Sequence, residues 1–90
     1  MSGKSKKLER IFKGVANHRR IDILFLIKKQ PDLTLSAISQ SLNCNLKTIA
    51  EHTRRLVIAG LIDKSRYNNM TFHNLSPYGQ KVYEFIETLK

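Results

Sequence analysis

Between Ser36 and Leu61 the chain reads S-A-I-S-Q-S-L-N-C-N-L-K-T-I-A-E-H-T-R-R-L-V-I-A-G-L, a short helical pattern, a tight break and a longer helical pattern. Ile38 and Leu42 stand four residues apart and share one helical face. Asn43-Cys44-Asn45 breaks the period. Asparagine suits turns because its short side chain bonds nearby backbone and tolerates left-handed geometry, and Asn45 is a good N-cap for the second helix. Ile49, Thr53, Leu56 and Gly60 then form one stripe, with Leu46 and Val57 at its edges. Lys47, Thr48, Glu51, Arg54, Arg55 and Ile58 point away from it, and Gly60 stops the helix. The pattern is a helix-turn-helix over 36–60. A second helix with Lys, Thr, His and two Arg on its outer face fits the major groove of B-form DNA, where such side chains reach base edges and phosphates. Two packed helices with a solvated face is the plainer reading of the same residues.

The charge distribution favours the first reading. The net charge is +9, from 16 Lys and Arg against 7 Asp and Glu. Residues 1–20 hold seven basic groups and one acid, and residues 44–66 hold five and two. The segments 21–43 and 67–90 are each neutral. Basic charge gathered at the N-terminal arm and at the helix-turn-helix is the footprint of a polyanion binder. No amphipathic basic helix of membrane type accompanies it. The strongest apolar run, Ile23 to Ile27, is far too short to span a bilayer. No apolar signal region succeeds the charged N-terminus, so a cytoplasmic location is expected.

Ninety residues make one domain, 1–90. Met1 to Lys6 reads as a flexible basic arm. Leu8, Ile11, Phe12 and Val15 keep the helical spacing and predict a first helix over 7–16. Asn17 caps a second helix, His18 to Gln30, whose Ile21, Ile23, Leu24, Phe25 and Ile27 spread over more than one stripe, as in a central helix. Pro31 ends it. Arg19 and Arg20 lie in its first turn, against the helix dipole, and are either surface charge or a phosphate clamp. After a short extended stretch, 32–35, comes the helix-turn-helix. Leu61 to Tyr67 and Met70 to Leu75 read as two strands of a hairpin over 61–75, turning at Asn68-Asn69. Ser76-Pro77 caps a last helix over 77–89, with Tyr78, Val82, Phe85, Ile86 and Leu89 on one broad apolar face. The expected class is mainly α with a small β-hairpin.

That order, with three stretches of sequence, resembles the winged helix-turn-helix transcriptional regulators, most closely the ArsR-like group. Phe12-Lys13-Gly14-Val15-Ala16-Asn17-His18-Arg19-Arg20-Ile21-Asp22-Ile23-Leu24 is similar to the family's F-K-A-L-A-D-P-T-R-x-x-I-L. Leu42 to His52, with Leu56 and Ala59-Gly60-Leu61-Ile62, is similar to L-G-L-S-x-S-T-V-S-x-H-L-x-x-L-x-x-A-G-L-V. Leu75-Ser76-Pro77-Tyr78-Gly79 is similar to the L-T-P-x-G that opens the last helix of many winged-helix regulators. The likeness covers about residues 8 to 89. It implies a homodimer on a two-fold symmetric operator of double-stranded DNA, with helix 45–59 in the major groove and the 64–73 hairpin as the wing. The family dimerises through its first and last helices, which here offer Leu8, Ile11, Phe12, Val82, Phe85, Ile86 and Leu89.

The departures are specific. His18 stands where the family has Pro, and Thr53 stands where it has a core Leu. Metal-sensing members carry C-x-C near the third helix; this chain has Leu33-Thr34-Leu35-Ser36-Ala37 there, and its last helix has Glu84 and Glu87 but no His. No metal or cofactor is expected. Cys44, the single cysteine, is a small buried hydrophobe or a redox switch. No nucleophile, base and orienting group can be named together, so no enzyme is expected. The competing function is a winged-helix module for protein interaction or RNA binding.

The expected DNA contacts are Lys47, Thr48 and His52 at base edges, with Glu51 or Arg54 beside them, and Asn45 at the helix start. Arg55, Arg19, Arg20, Lys64 and Arg66 would hold phosphates, and Asn68 and Asn69 would reach the minor groove.

Overall fold

The computed structural model describes residues 2–90. Five helices and one hairpin run in order: α1 (Ser2–Val15), α2 (His18–Lys29), α3 (Leu35–Leu42), α4 (Leu46–Ile58), β1 (Ile62–Tyr67), β2 (Met70–Leu75) and α5 (Pro77–Thr88). This is the winged helix-turn-helix arrangement.

The local signals act where expected. The Asn17 side chain accepts from the backbone N–H of Arg19 and Arg20 at the start of α2, at 2.8 and 3.3 Å. Asn43 ends α3 in the left-handed conformation, and Gly60, with φ 81, lies just past the end of α4. Asn68 and Asn69 both take positive φ, 51 and 64, as a two-residue hairpin turn of matching twist requires. The register pairs Tyr67 with Met70 and Ile62 with Leu75.

Two helices start earlier than expected. Of the arm expected to be flexible, Met1 lies outside the described residues, and residues 2–6 continue α1 back to Ser2. The third helix starts at Leu35, because the Thr34 hydroxyl accepts from the backbone N–H of Ala37 and caps it there.

Helix α2 is the centre. Its Ile23, Leu24 and Ile27 are buried with Ile38 of α3, Ile49 and Leu56 of α4, and Leu61 and Ile62. It touches α1, α3, α4, α5 and β2, which explains its wide apolar surface. Helix α5 docks on it through Phe25 and Tyr83, whose rings meet edge to face at 5.6 Å.

The wing is tied down at its base. The Asp32 carboxylate accepts from the Asn74 side-chain amide at 2.7 Å, and the Asn74 side-chain oxygen accepts from the Asp32 backbone N–H at 2.9 Å. Buried His73 donates its backbone N–H and its Nδ1–H to the Leu33 carbonyl. On the other side, the Ser76 hydroxyl donates to the Gly60 carbonyl and accepts from the Gly79 N–H. Gly79 sits so close to this turn that a Cβ there would lie 2.0 Å from the Leu61 carbonyl oxygen, so the position excludes any side chain.

Candidate nucleic-acid interface

The exposed face of α4 begins at its N-cap. The side-chain oxygen of Asn45 accepts from the backbone N–H of Lys47 and Thr48, at 2.8 and 3.2 Å. That oxygen therefore builds the helix start, which turns Lys47, Thr48, Glu51 and His52 into one open concavity beside Asn45. Lys47 also borders a second groove, of about 790 Å³, that runs to the wing and has Lys64, Thr71 and His73 on its far side. Its floor is apolar: Leu35, Leu46, Ala50 and Met70, of which Leu46 and Met70 are half-exposed. Sequence spacing places Leu46 at a stripe edge and Met70 on a strand, and assigns neither to this surface. Only the approach of the wing to α4 brings the two together.

The two arginines of α4 are not free. Glu51 accepts two hydrogen bonds from Arg54 and one from Arg55. These bonds hold the Glu51 carboxyl well below the usual range, at about 2, with Arg54 the larger cause. The group is an exposed ion cluster, so its contribution to stability is small. Its effect is on charge: one carboxylate sits among the cations of the exposed face of α4.

Arg20, expected as surface charge or half of a phosphate clamp, makes contacts inside the molecule. Its guanidinium is half-buried and engaged inside the molecule, donating to the Lys13 and Gly14 carbonyls at the end of α1 and to His52 Nδ1. Arg19 keeps a loose contact with Asp22, at 3.8 Å, and remains partly exposed. The His52 pKa is lowered from its ordinary value, first by burial and then by the positive charge of Arg20.

Lys64 and Arg66 lie two residues apart on β1, hence on one face of the wing. Neither is in an ion pair among the described residues. Asn68 and Asn69 form the exposed tip.

Separate from these residues, α1 and α5 leave an apolar groove of about 550 Å³. Leu8, Phe12, Phe85 and Leu89 are each about half exposed or more. Ile11, Val82 and Ile86 line the same groove and are partly buried. Val15, Ala16, Ile21, Tyr78 and Lys81 complete the lining. Ile21 belongs to the apolar surface expected to lie inside; its position near the N-terminal end of α2 lets it reach this groove.

Cys44 is half-buried and packs against the core. Among the described residues no group of three or more His, Cys, Asp or Glu could hold a metal ion, and no helix is long and apolar enough to cross a membrane.

The sequence model of the MarR family matches residues 16–69, from the end of α1 through the hairpin turn. No curated protein matches the sequence. Among solved structures, the chain is similar to a homodimeric winged helix-turn-helix DNA-binding domain from Mycobacterium bovis, a possible ArsR-family transcriptional regulator. The TM-score is 0.88 at 20% identity, covering 98% of this chain and 82% of that one. HlyU from Vibrio cholerae superimposes with a TM-score of 0.81 at 27% identity over 99% and 94% of the two chains. The transcriptional repressor PagR of Bacillus anthracis gives 0.85 at 15% identity over 96% and 99%. The sequence resembles the ArsR-like group, and the family whose model matches it is MarR.

Proposed function

The chain belongs to the MarR family, and we propose that it is a sequence-specific, double-stranded DNA-binding transcriptional regulator, acting in the cytoplasm as a homodimer on a two-fold symmetric operator. The observation that carries this reading is the continuous exposed surface from Lys47, Thr48 and His52 on α4 to Lys64 and Arg66 on the wing. An α-helix presenting such side chains enters the major groove, and a strand pair beside it tracks the backbone. The homodimeric DNA-binding domain of Mycobacterium bovis, similar in fold over nearly the whole chain, supports it.

In this reading the single domain 1–90 divides its work by face. Lys47, Thr48 and His52 meet base edges, with Arg54 next to them. Arg19, Arg55, Lys64 and Arg66 hold phosphates, and Asn68 and Asn69 enter the minor groove. The groove of α1 and α5 covers its counterpart in a second copy, through Leu8, Ile11, Phe12, Val82, Phe85, Ile86 and Leu89. Two recognition helices then address major grooves one turn apart, about 34–36 Å.

One feature favours a second reading. The groove between α4 and the wing has an apolar floor, as a protein-docking module would have. The deciding experiment is binding to mixed-sequence duplex DNA from low to physiological salt. Tight binding that falls steeply with salt supports the regulator and leads to operator selection from random sequence. No binding at low salt overturns it in favour of protein docking at Leu46 and Met70.

A further inference from the structure

Arg20 is a basic residue of the candidate surface with three of its five N–H donors engaged inside the protein. Its Nε–H donates to His52 Nδ1 at 3.2 Å, and one terminal nitrogen donates to the carbonyls of Lys13 and Gly14 at 3.2 and 3.3 Å. Those carbonyls belong to the last turn of α1, which lacks partners within the helix and favours a cation nearby. The approach of α1 to α4 is fixed next to this point, because a Cβ on Gly14 would lie 2.3 Å from the Cβ of Ala59. Arg20 thus links α1, α2 and α4 next to a place where α1 passes close to the end of α4.

The chemistry of the contact decides the state of His52. An arginine nitrogen only donates, so Nδ1 must be the unprotonated, accepting nitrogen of the ring. The ring proton then sits on Nε2, which has no hydrogen-bond partner among the described residues and belongs to the ring that lines the α4 concavity. Protonating Nδ1 would set a donor against a donor and a cation against a cation. The charged and titratable neighbours are Arg20, Arg19 and His18 on α2 and Glu51 on α4; of these only Glu51 favours the charged ring.

We infer that Arg20 is a positioning residue that acts through His52, orienting the ring and fixing its Nε2–H form so that the recognition face presents one hydrogen-bond donor to an acceptor on DNA. The inference rests on the DNA-binding reading only for what His52 meets, not for how Arg20 holds it. The acceptor is a base edge, such as guanine N7 or O6, or a phosphate oxygen.

The test has two arms. In the free protein, histidine-ring nitrogen NMR should give His52 a hydrogen-bonded, unprotonated Nδ1 and a protonated Nε2. Arg20→Gln should move the Nδ1 resonance toward that of a free imidazole and raise the titration midpoint. A wild-type ring protonated on Nδ1, or a variant with both features unchanged, overturns the inference. In the second arm, affinities for a selected operator are compared for R20Q, H52A and the double variant. Action through His52 makes the double variant about as weak as H52A alone. Losses that multiply, with a salt slope flatter by about one unit on all DNA, make Arg20 an independent phosphate contact and overturn it. Loss from H52A at one base position assigns the acceptor to a base edge; an equal loss on all sequences assigns it to a phosphate. If wild-type protein binds no DNA but the ring spectrum depends on Arg20, the regulator reading fails and the positioning role stands.

Discussion

The Glu51 carboxylate accepts both arms of the Arg54 guanidinium, at 2.9 and 2.8 Å, one helical turn along the face proposed to meet DNA. Arg55 joins the same carboxylate oxygen that a terminal nitrogen of Arg54 reaches. The carboxylate thus occupies two cations and opposes phosphate approach. Glu51→Gln should loosen both arginines, strengthen binding to mixed-sequence DNA and steepen the log affinity against log salt slope by about one unit, since in the proposed reading Arg55 already holds a phosphate and an added contact from Arg54 contributes roughly 0.9. The operator should gain less than random DNA, so selectivity falls. Fluorescence anisotropy across a salt series measures both; unchanged slopes would mean that the arginines leave Glu51 on binding DNA anyway.

The wing carries the opposite case, cations with no ion-pair partner among the described residues. Lys64 and Arg66 share one face of β1, and the hairpin is held from below by the Asp32–Asn74 and Leu33–His73 contacts. If both touch only the backbone, K64A/R66A should weaken all sequences alike and flatten the salt slope by about two units. A loss confined to one base position in a competition assay would contradict the assignment.

Features set by neighbours in the chain were legible in the sequence. The caps at Asn17, Asn45 and Ser76, the Asn68-Asn69 turn and the buried stripe Ile49, Thr53 and Leu56 all depend on local spacing, and all appear in the structure. The start of α1 was not legible because Ser2 to Lys7 has no apolar period; the helix runs back from its packed part at 8–15. The Arg20 latch joins residues 32 apart, and the Asp32–Asn74 clasp joins residues 42 apart. No window along the chain contains either, so by sequence alone Arg20 is surface charge or a phosphate clamp, and its partners inside the molecule are invisible.

The apolar groove of α1 and α5 leads to a test of assembly. Phe85 is 53% exposed along that groove, where a monomer would leave a large ring in water. Phe85→Glu places a charge that a covered apolar face would have to desolvate. Sedimentation should find a dimer for wild type and a monomer for F85E, with intact helical content by circular dichroism. Operator affinity should fall as well, with loss of the second half-site. An unchanged dimer would put the interface elsewhere.

Thr53 is the place where the core departs from its own chemistry. It lies on the buried stripe of α4 at 2% exposure, and its hydroxyl has no hydrogen-bond partner among the described residues. Val has nearly the same shape and needs no partner. The hydroxyl has been taken from water without replacement, which costs about 1–3 kcal/mol. Thr53→Val should therefore stabilise the fold by about 1 kcal/mol and raise the melting temperature by roughly 4–8 °C for a domain of this size. The comparison must be made at one protein concentration, because dimerisation would itself shift the midpoint. DNA affinity should not change, since Thr53 faces the core and Lys47, Thr48 and His52 keep their places on the outer side of the same helix. A destabilised T53V would mean that the hydroxyl finds a partner in solution, and a changed affinity would mean that packing under α4 sets how the helix meets DNA.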